Sequence, residues 1–215
     1  SNTAIDKKLA EIYYLKNDFS KAADAYSRFA MGPKANEEDL VRYAFALFLN
    51  HDFAKSLEVA NMGLKKNPRH AAFNRLAMYN NTDLKRFEEA LKAADVFFNE
   101  CDKADYSYLD YMYYGHLLEE LKKYDEAVGQ YEKAVELDPT KTDLYKNISS
   151  VYEQKNDYKK AIGAYHKYYS SLEKEKQTPD LQFQLGRLYY GAGTQPDSLT
   201  INVEERKQAL MSADS

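Results

Sequence analysis

The sequence predicts an all-α protein in which short antiparallel helix pairs stack side by side as a solenoid. Three observations predict this class. A short motif returns about every 34 residues along a chain of 215 residues. Apolar residues around each copy of the motif follow helical spacing. Gly and Pro number only 8 and 5, too few for the frequent turns of a β-sandwich or a β-barrel.

The repeated motif is an aromatic residue, two further residues and then a small residue. Its five copies begin at Phe19, Phe53, Phe87, Tyr124 and Tyr158, with spacings of 34, 34, 37 and 34 residues. One unit of this length cannot bury its apolar face alone, whereas stacked neighbours can. The period therefore predicts an array of similar units.

Each unit reads as two amphipathic helices with a polar turn between them. In the first unit, Leu9 and Tyr13 mark the apolar face of one helix, and Ala22 and Tyr26 mark that of the next. Asp18 comes directly before the aromatic residue, where its side chain can cap the second helix. Asp52 and Asp157 occupy the same position in their units, and Pro68 and Pro139 end the second helices of units two and four.

These units resemble the tetratricopeptide repeat, a helix pair of 34 residues. The fourth unit matches the pattern of that family best, through Tyr111, Tyr114, Gly115, Leu118, Tyr124, Ala127, Tyr131, Ala134 and Pro139. The resemblance implies a right-handed superhelical α-solenoid that occupies residues 1–215 as a single domain. Its repeats are expected at 3–36, 37–70, 71–107, 108–141 and 142–178.

A partial sixth repeat is expected at 179–215. Leu185, Gly186 and Tyr189 match the first-helix motif, and an insertion from Gly191 to Asn202 is expected to widen the turn. A second helix is expected from Val203 to Ala213. Because this helix would stop halfway, we expect the natural protein to continue beyond residue 215.

Residues suited to catalysis or to metal binding do not cluster in the sequence. The 4 His are scattered, and the 1 Cys, Cys101, is expected to be a buried and unreactive thiol. Phosphate-binding and nucleophile-elbow motifs are missing, and acidic pairs such as Glu88–Glu89 fall on solvated helix faces. The sequence predicts no enzyme, no cofactor, no metal site and no membrane span.

The resemblance implies that the first helix of each pair lines a concave groove in which a peptide or a helix of a partner protein lies. The expected groove residues are Lys7, Tyr14, Phe45, Phe48, Arg75, Tyr79, Met112, His116, Lys146 and Arg187. Phe183 and Tyr190 occupy equivalent positions in the sixth unit. Packing between units is the alternative role, for Phe45 in particular. If the groove binds, Phe45→Ala or Tyr79→Ala weakens partner capture at little cost in stability.

The sequence therefore predicts a non-catalytic scaffold that binds a peptide or protein segment. The alternatives are a homo-oligomerising structural module of an envelope assembly and, behind it, an RNA-binding helical repeat. The net charge of −4 argues against nucleic acid, whose binding proteins carry a basic face. The Tyr-, Asn- and Lys-rich composition favours a bacterial source, and the periplasm over the cytoplasm.

Overall fold

The computed structural model describes residues 2–101, 105–194 and 211. Within these residues the chain forms eleven α-helices and one 3₁₀ turn, and no strand. The predicted all-α class, with stacked helix pairs, is confirmed. The chain divides into two compact units, Ser1–Tyr106 and Ser107–Ser215. The boundaries of the six repeats stay a prediction.

The first unit contains six helices, each packed on the next. They are α1 (Thr3–Leu15), α2 (Phe19–Ser27), α3 (Glu37–Leu49), α4 (Phe53–Lys66), α5 (Ala71–Asp83) and α6 (Phe87–Asn99). The described part of the second unit contains five more, packed in the same sequential way. They are α7 (Tyr108–Glu120), α8 (Tyr124–Leu137), α9 (Leu144–Gln154), α10 (Tyr158–Ser171) and α11 (Pro179–Thr194), with the 3₁₀ turn at Lys174–Lys176.

The repeated aromatic residue is the first residue of the second helix in all five pairs. Directly before it, the Asp18 carboxylate accepts a hydrogen bond from the Lys21 N–H at 3.2 Å. Asp52 and Asp157 cap their helices in the same way. The predicted caps and the stops before Pro68 and Pro139 are confirmed, because α4 ends at Lys66 and α8 at Leu137.

The turn inside each of these five pairs uses a residue in the left-handed backbone conformation, two positions before the aromatic residue. These residues are Asn17, His51, Lys85, Lys122 and Asn156, with φ from 59° to 62°. None of them is Gly, although only Gly adopts this conformation without steric cost. Asn tolerates it better than Lys does, so Lys85 and Lys122 strain the folded state.

We expect Lys122→Gly to raise the free energy of unfolding by about 0.5–1 kcal/mol, because relief of the strained turn exceeds the added entropy of the unfolded chain. Urea unfolding followed by circular dichroism measures the change. Lys123→Gly is the matched control, since Lys123 has φ of −89° and gains no relief. If both variants were destabilised equally, the left-handed conformation of Lys122 would not strain the folded state.

The small residue of each motif lies where the two helices of a pair cross. Ala22, Ser56, Ala90, Ala127 and Ala161 are all fully buried. Glycines allow similarly close contacts elsewhere. A Cβ added at Gly115 would lie 2.8 Å from the Tyr131 ring, and one at Gly63 would overlap the Phe73 ring. Small residues therefore set the distance between neighbouring helices, as the sequence predicts.

The expected turn insertion does not begin at Gly191, because α11 continues as a helix to Thr194. The reason is close packing. A Cβ at Gly191 would lie 2.5 Å from Cε1 of Tyr158, so this glycine lets α11 approach the start of α10. The rest of the expected insertion and most of the expected second helix of the sixth repeat lie outside the described residues.

Helix α5 is the most enclosed helix of the first unit, with nine of its thirteen residues buried. Several of these residues are polar. Asn80 donates from Nδ2 to the Ser56 hydroxyl at 2.8 Å, and Ser56 donates to the Ala44 carbonyl at 2.8 Å. This chain of hydrogen bonds ties α3, α4 and α5 together through the interior.

Candidate protein-binding surface

A cleft opens beside the first helices in each unit. In the first unit it lies between α1, α2 and α3, has a volume of about 550 Å³ and is lined by Glu11, Tyr14, Leu15, Tyr26 and Arg42. Arg42 lies 3.3 Å from Glu11 Oε1 through Nη1 and 2.6 Å from Glu38 Oε1 through Nη2. Burial raises the pKa of the Tyr26 hydroxyl, and the nearby Arg42 guanidinium opposes that rise. The polar groups of this cleft are thus largely paired with one another.

Tyr14 is half-buried at the edge of this first cleft. Burial raises the pKa of Tyr14 above its usual value, against the opposing charge of Arg42. Its ring meets the Phe19 ring edge-on at a centroid distance of 5.5 Å. Tyr14 therefore presents a neutral ring and hydroxyl, the combination that makes tyrosine common in protein interfaces.

The second unit has a cleft of about 430 Å³ between α9, α10 and α11. Most of its lining residues are polar, and the lining comprises Lys146, Ser149, Ser150, Glu153, Tyr165, Leu181, Gln184 and Arg187. Arg187 lies 2.6 Å from Glu153 Oε1 through Nη2, and its Nε donates to Gln184 Oε1 at 3.1 Å. The Lys146 ammonium lies 5.7 Å from the centre of the Tyr168 ring.

The two clefts occupy equivalent places in the repeat. Tyr26 and Tyr165 each follow the small motif residue by four positions, and each lies beneath its own cleft. In the fourth repeat this position is held by Tyr131, whose hydroxyl donates to Glu119 Oε2 at 2.8 Å. Burial and the neighbouring Glu119 carboxylate raise the pKa of Tyr131.

Three of the expected groove residues line these clefts. They are Tyr14 in the first unit and Lys146 and Arg187 in the second. Lys146 and Arg187 come from different first helices, α9 and α11, and the fold brings them to one cleft.

Tyr79 is not a surface residue, because only 3% of it is exposed. Its ring packs against the Phe48 ring at 5.5 Å. Phe45 and Phe48 are half-buried against the core of the first unit. The burial of Tyr79 argues against the expectation that Tyr79→Ala spares stability, and for these three aromatic residues the structure favours the packing role.

The remaining expected residues have varied surroundings. Lys7 forms an ion pair with Asp39 at 2.9 Å. Arg75 donates to the Asp105 carbonyl at 2.7 Å and lies over the Phe97 ring. Met112 is half-buried against the core of the second unit, and His116 is exposed.

The sequence analysis missed Arg42 and Gln184 as cleft residues. Both lie two positions before the small residue of a first helix, and Asn147 is their equivalent after Tyr131. The position two residues before the small residue of a first helix lies beside the tyrosine of the preceding second helix. A search for that combination identifies Arg42 and Gln184 from the sequence. The tyrosines themselves were interpreted only as packing residues, because their place beneath a cleft depends on how consecutive pairs stack.

Groups suited to chemistry do not assemble in residues 2–101 and 105–194. No cluster of three His, Cys, Asp or Glu side chains there could hold a metal ion. None of the helices described is both long and apolar enough to cross a membrane. Cys101 is half-buried rather than fully buried, and its sulfur accepts a hydrogen bond from Asn74 Nδ2 at 3.4 Å.

A family model and several solved structures are similar to this chain. The family model of the tetratricopeptide repeat matches residues 108–141. The structure is similar to MamA from Desulfovibrio magneticus RS-1, with a TM-score of 0.69 and 18% identity over 83% of this chain and 99% of that one. It is also similar to PilW, a type IV pilus biogenesis factor, with a TM-score of 0.70 and 15% identity over 96% of this chain and 90% of that one.

A third similar structure is the C-terminal part of a TPR repeat-containing protein from Cytophaga hutchinsonii. Its TM-score is 0.62, at 24% identity over 80% of this chain and 64% of that one. At such identities the likeness establishes the fold. No curated protein matches the sequence significantly. The family model thus identifies one tetratricopeptide repeat at residues 108–141, and the solved structures share the fold of stacked helix pairs.

Proposed function

We propose that this chain is a non-catalytic scaffold that binds a segment of a partner protein along its first helices. The observation that carries the proposal is the pair of equivalent clefts, one in each unit, lined by Tyr14 in the first and by Lys146 and Arg187 in the second. Arrays of tetratricopeptide repeats are interaction scaffolds, and groove recognition by helical arrays uses a rigid row of side chains.

The composition of the clefts supports protein rather than nucleic acid as the partner. Glu11 lines the first cleft and Glu153 the second, beside the cations. A phosphate backbone would meet these carboxylates unfavourably, and strong binding to it needs several unpaired cations. Tyrosine and arginine are the side chains that most often contribute large binding energies in protein interfaces.

The test starts from peptides selected against the full chain by phage display. We expect Tyr14→Ala or Lys146→Ala to weaken binding of a selected peptide about fivefold or more, since such residues typically contribute over 1 kcal/mol. Isothermal titration calorimetry measures the affinity, and thermal unfolding verifies that each variant folds.

Lys167→Ala is the matched control. Lys167 lies on α10 beside a different cleft, formed with α8 and α9, and its ammonium lies 5.3 Å from the centre of the Tyr145 ring. We expect this variant to bind like the original chain. Binding that survives both first-helix substitutions but is lost in Lys167→Ala would place the binding surface on the second helices and refute the proposal.

A further inference from the structure

A groove runs between the second helices α8 and α10 of the second unit. Both helices pack on α9, and the space between them, the α8–α10 groove, has a volume of about 450 Å³. Its floor is largely apolar and comprises Val135, Tyr145, Ile148, Tyr152 and Ala164. Val135, Tyr145 and Tyr152 are only half-buried. The fold of a single chain therefore leaves part of this floor open to solvent.

The two walls of this groove carry opposite charges. Glu132 and Glu136 line it from α8, whereas Lys160 and Lys167 line it from α10. Lys160 lies 3.8 Å from the carboxylate that caps its own helix, and the Lys167 ammonium lies 5.3 Å from the centre of the Tyr145 ring. Among the residues that the structure describes, no ion pair joins the two walls. Glu132, Glu136 and Lys167 are therefore available to the charges of a second molecule.

The charged surface around the groove is complementary to itself. Helices α8 and α10 are the second helices of consecutive pairs, so they run side by side in the same direction. A twofold axis along the groove would place α10 of one copy over α8 of another and, by symmetry, α8 over α10. The basic wall of each copy then faces the acidic wall of the other in two identical contacts.

The positions of the charges along the two helices agree with this arrangement. Glu132 lies eight residues after Tyr124, the first residue of α8, and Lys167 lies nine residues after Tyr158, the first residue of α10. At about 1.5 Å per residue, the two differ by about 1.5 Å along the helix axis. Glu136 follows one turn later on the same wall. Lys167 of one copy therefore lies level with Glu132 of the other and within one turn of Glu136.

Two glycines without neighbours allow the helices of two copies to approach closely. Gly129 on α8 and Gly163 on α10 each follow the small motif residue by two positions, and a Cβ added at either would meet nothing within 4 Å. The equivalent residues of the first three pairs are charged, and they are Asp24, Glu58 and Lys92. Glycine weakens a helix, and at these two positions no contact within the single chain offsets that cost.

We propose that the chain pairs with a second copy of itself through the α8–α10 groove, with Lys167 of each copy paired with Glu132 and Glu136 of the other. The stem of each lysine would cover the apolar floor of the facing groove while its ammonium reaches the acidic wall. A second copy matches both walls at once, whereas another protein would need a matching pattern of its own. The pairing uses only second helices, so it leaves the first helices open to the partner segment proposed above.

Sedimentation velocity of the full chain over a concentration series tests the pairing. We expect a reversible monomer–dimer equilibrium with a Kd in the micromolar range. Glu132→Lys and Lys167→Glu each place like charges opposite one another at both contacts, so either change alone should weaken pairing at least about tenfold. An equimolar mixture of the two variants should pair with a Kd within about threefold of the original, because the reversed charges then face each other.

Asp95→Lys is the matched control, because Asp95 holds the position of Glu132 on α6 and the change alters the net charge equally. This variant should pair like the original chain. Gly163→Gln should weaken pairing at least about threefold, because its side chain holds the helices apart, while thermal unfolding of the dilute monomer shows no loss of stability. A chain that stays monomeric up to about 1 mM, a dimer that persists in both charge variants, or a mixture that fails to pair would each overturn the proposal.

Discussion

Tyr79→Ala is expected to lower the free energy of unfolding by about 3–4 kcal/mol, as truncation of a large buried aromatic residue does. Tyr79 lies inside the first unit, 3% exposed, with its ring against Phe48. The substitution removes this contact and leaves a cavity that the surrounding helices fill only in part. Urea unfolding monitored by circular dichroism at 222 nm measures the loss.

Tyr190→Ala provides the matched comparison, because it truncates the same residue type on another first helix. Tyr190 is 60% exposed, and surface substitutions change stability by less than about 0.5 kcal/mol. A loss below about 1 kcal/mol for Tyr79→Ala would show that Tyr79 contributes little to the interior and would restore its interpretation as a groove residue.

Gly63→Ala is expected to lower the free energy of unfolding by about 2 kcal/mol, although alanine is the better helix former. The added Cβ would lie within 2.5 Å of Cδ2 of Phe73, whose side chain is fully buried. Overpacking of this kind costs up to about 3 kcal/mol, and the gain in helix propensity offsets about 1 kcal/mol of it. Thermal and urea unfolding of the purified variant measure the net effect.

Gly163→Ala is the matched control, because it gains the helix propensity of alanine without the overpacking expected at Gly63. No atom lies within 4 Å of a Cβ at this helical glycine, so the variant should gain up to about 1 kcal/mol. Phe73→Leu makes room beside Gly63. Combined with Gly63→Ala, it should destabilise by at least about 1 kcal/mol less than the sum of the two single changes. If the two changes in the free energy of unfolding were simply additive, the new methyl group would not be in contact with the Phe73 ring.

Much of the fold could be predicted from the sequence because it depends on local rules. An aspartate directly before the repeated aromatic residue caps the helix that begins there, as Asp18 and Asp157 show. A proline two residues beyond the last helical residue ends one, as at Pro68 and Pro139. Gly191 was interpreted as part of a turn because an isolated glycine is ambiguous. Only its closeness to Tyr158 reveals a packing role.

The candidate site was less predictable, because repeat position alone does not determine burial. Tyr79 and Arg187 were both assigned to the groove from their positions, yet one is buried and the other exposed. The difference arises from their neighbours, since α5 is enclosed by α3, α4 and α6, whereas α11 packs mainly on α10. The Tyr165 hydroxyl is buried without a hydrogen-bond partner, while the neighbouring Gln184 accepts from Arg187, and no sequence pattern specifies these side-chain directions.

The enclosure of α5 has a consequence for motion within the first unit. A helix buried on most of its surface cannot detach until its neighbours have opened, so the interior opens last. Helix α1, by contrast, exposes Ile5, Ile12 and Leu15. Local unfolding of the first unit should therefore begin at α1 and reach α5 last. A partner that docks on the first helices would therefore contact a stable helix at α5 and a less stable one at α1. Small movements of α1 could accommodate differences among bound segments.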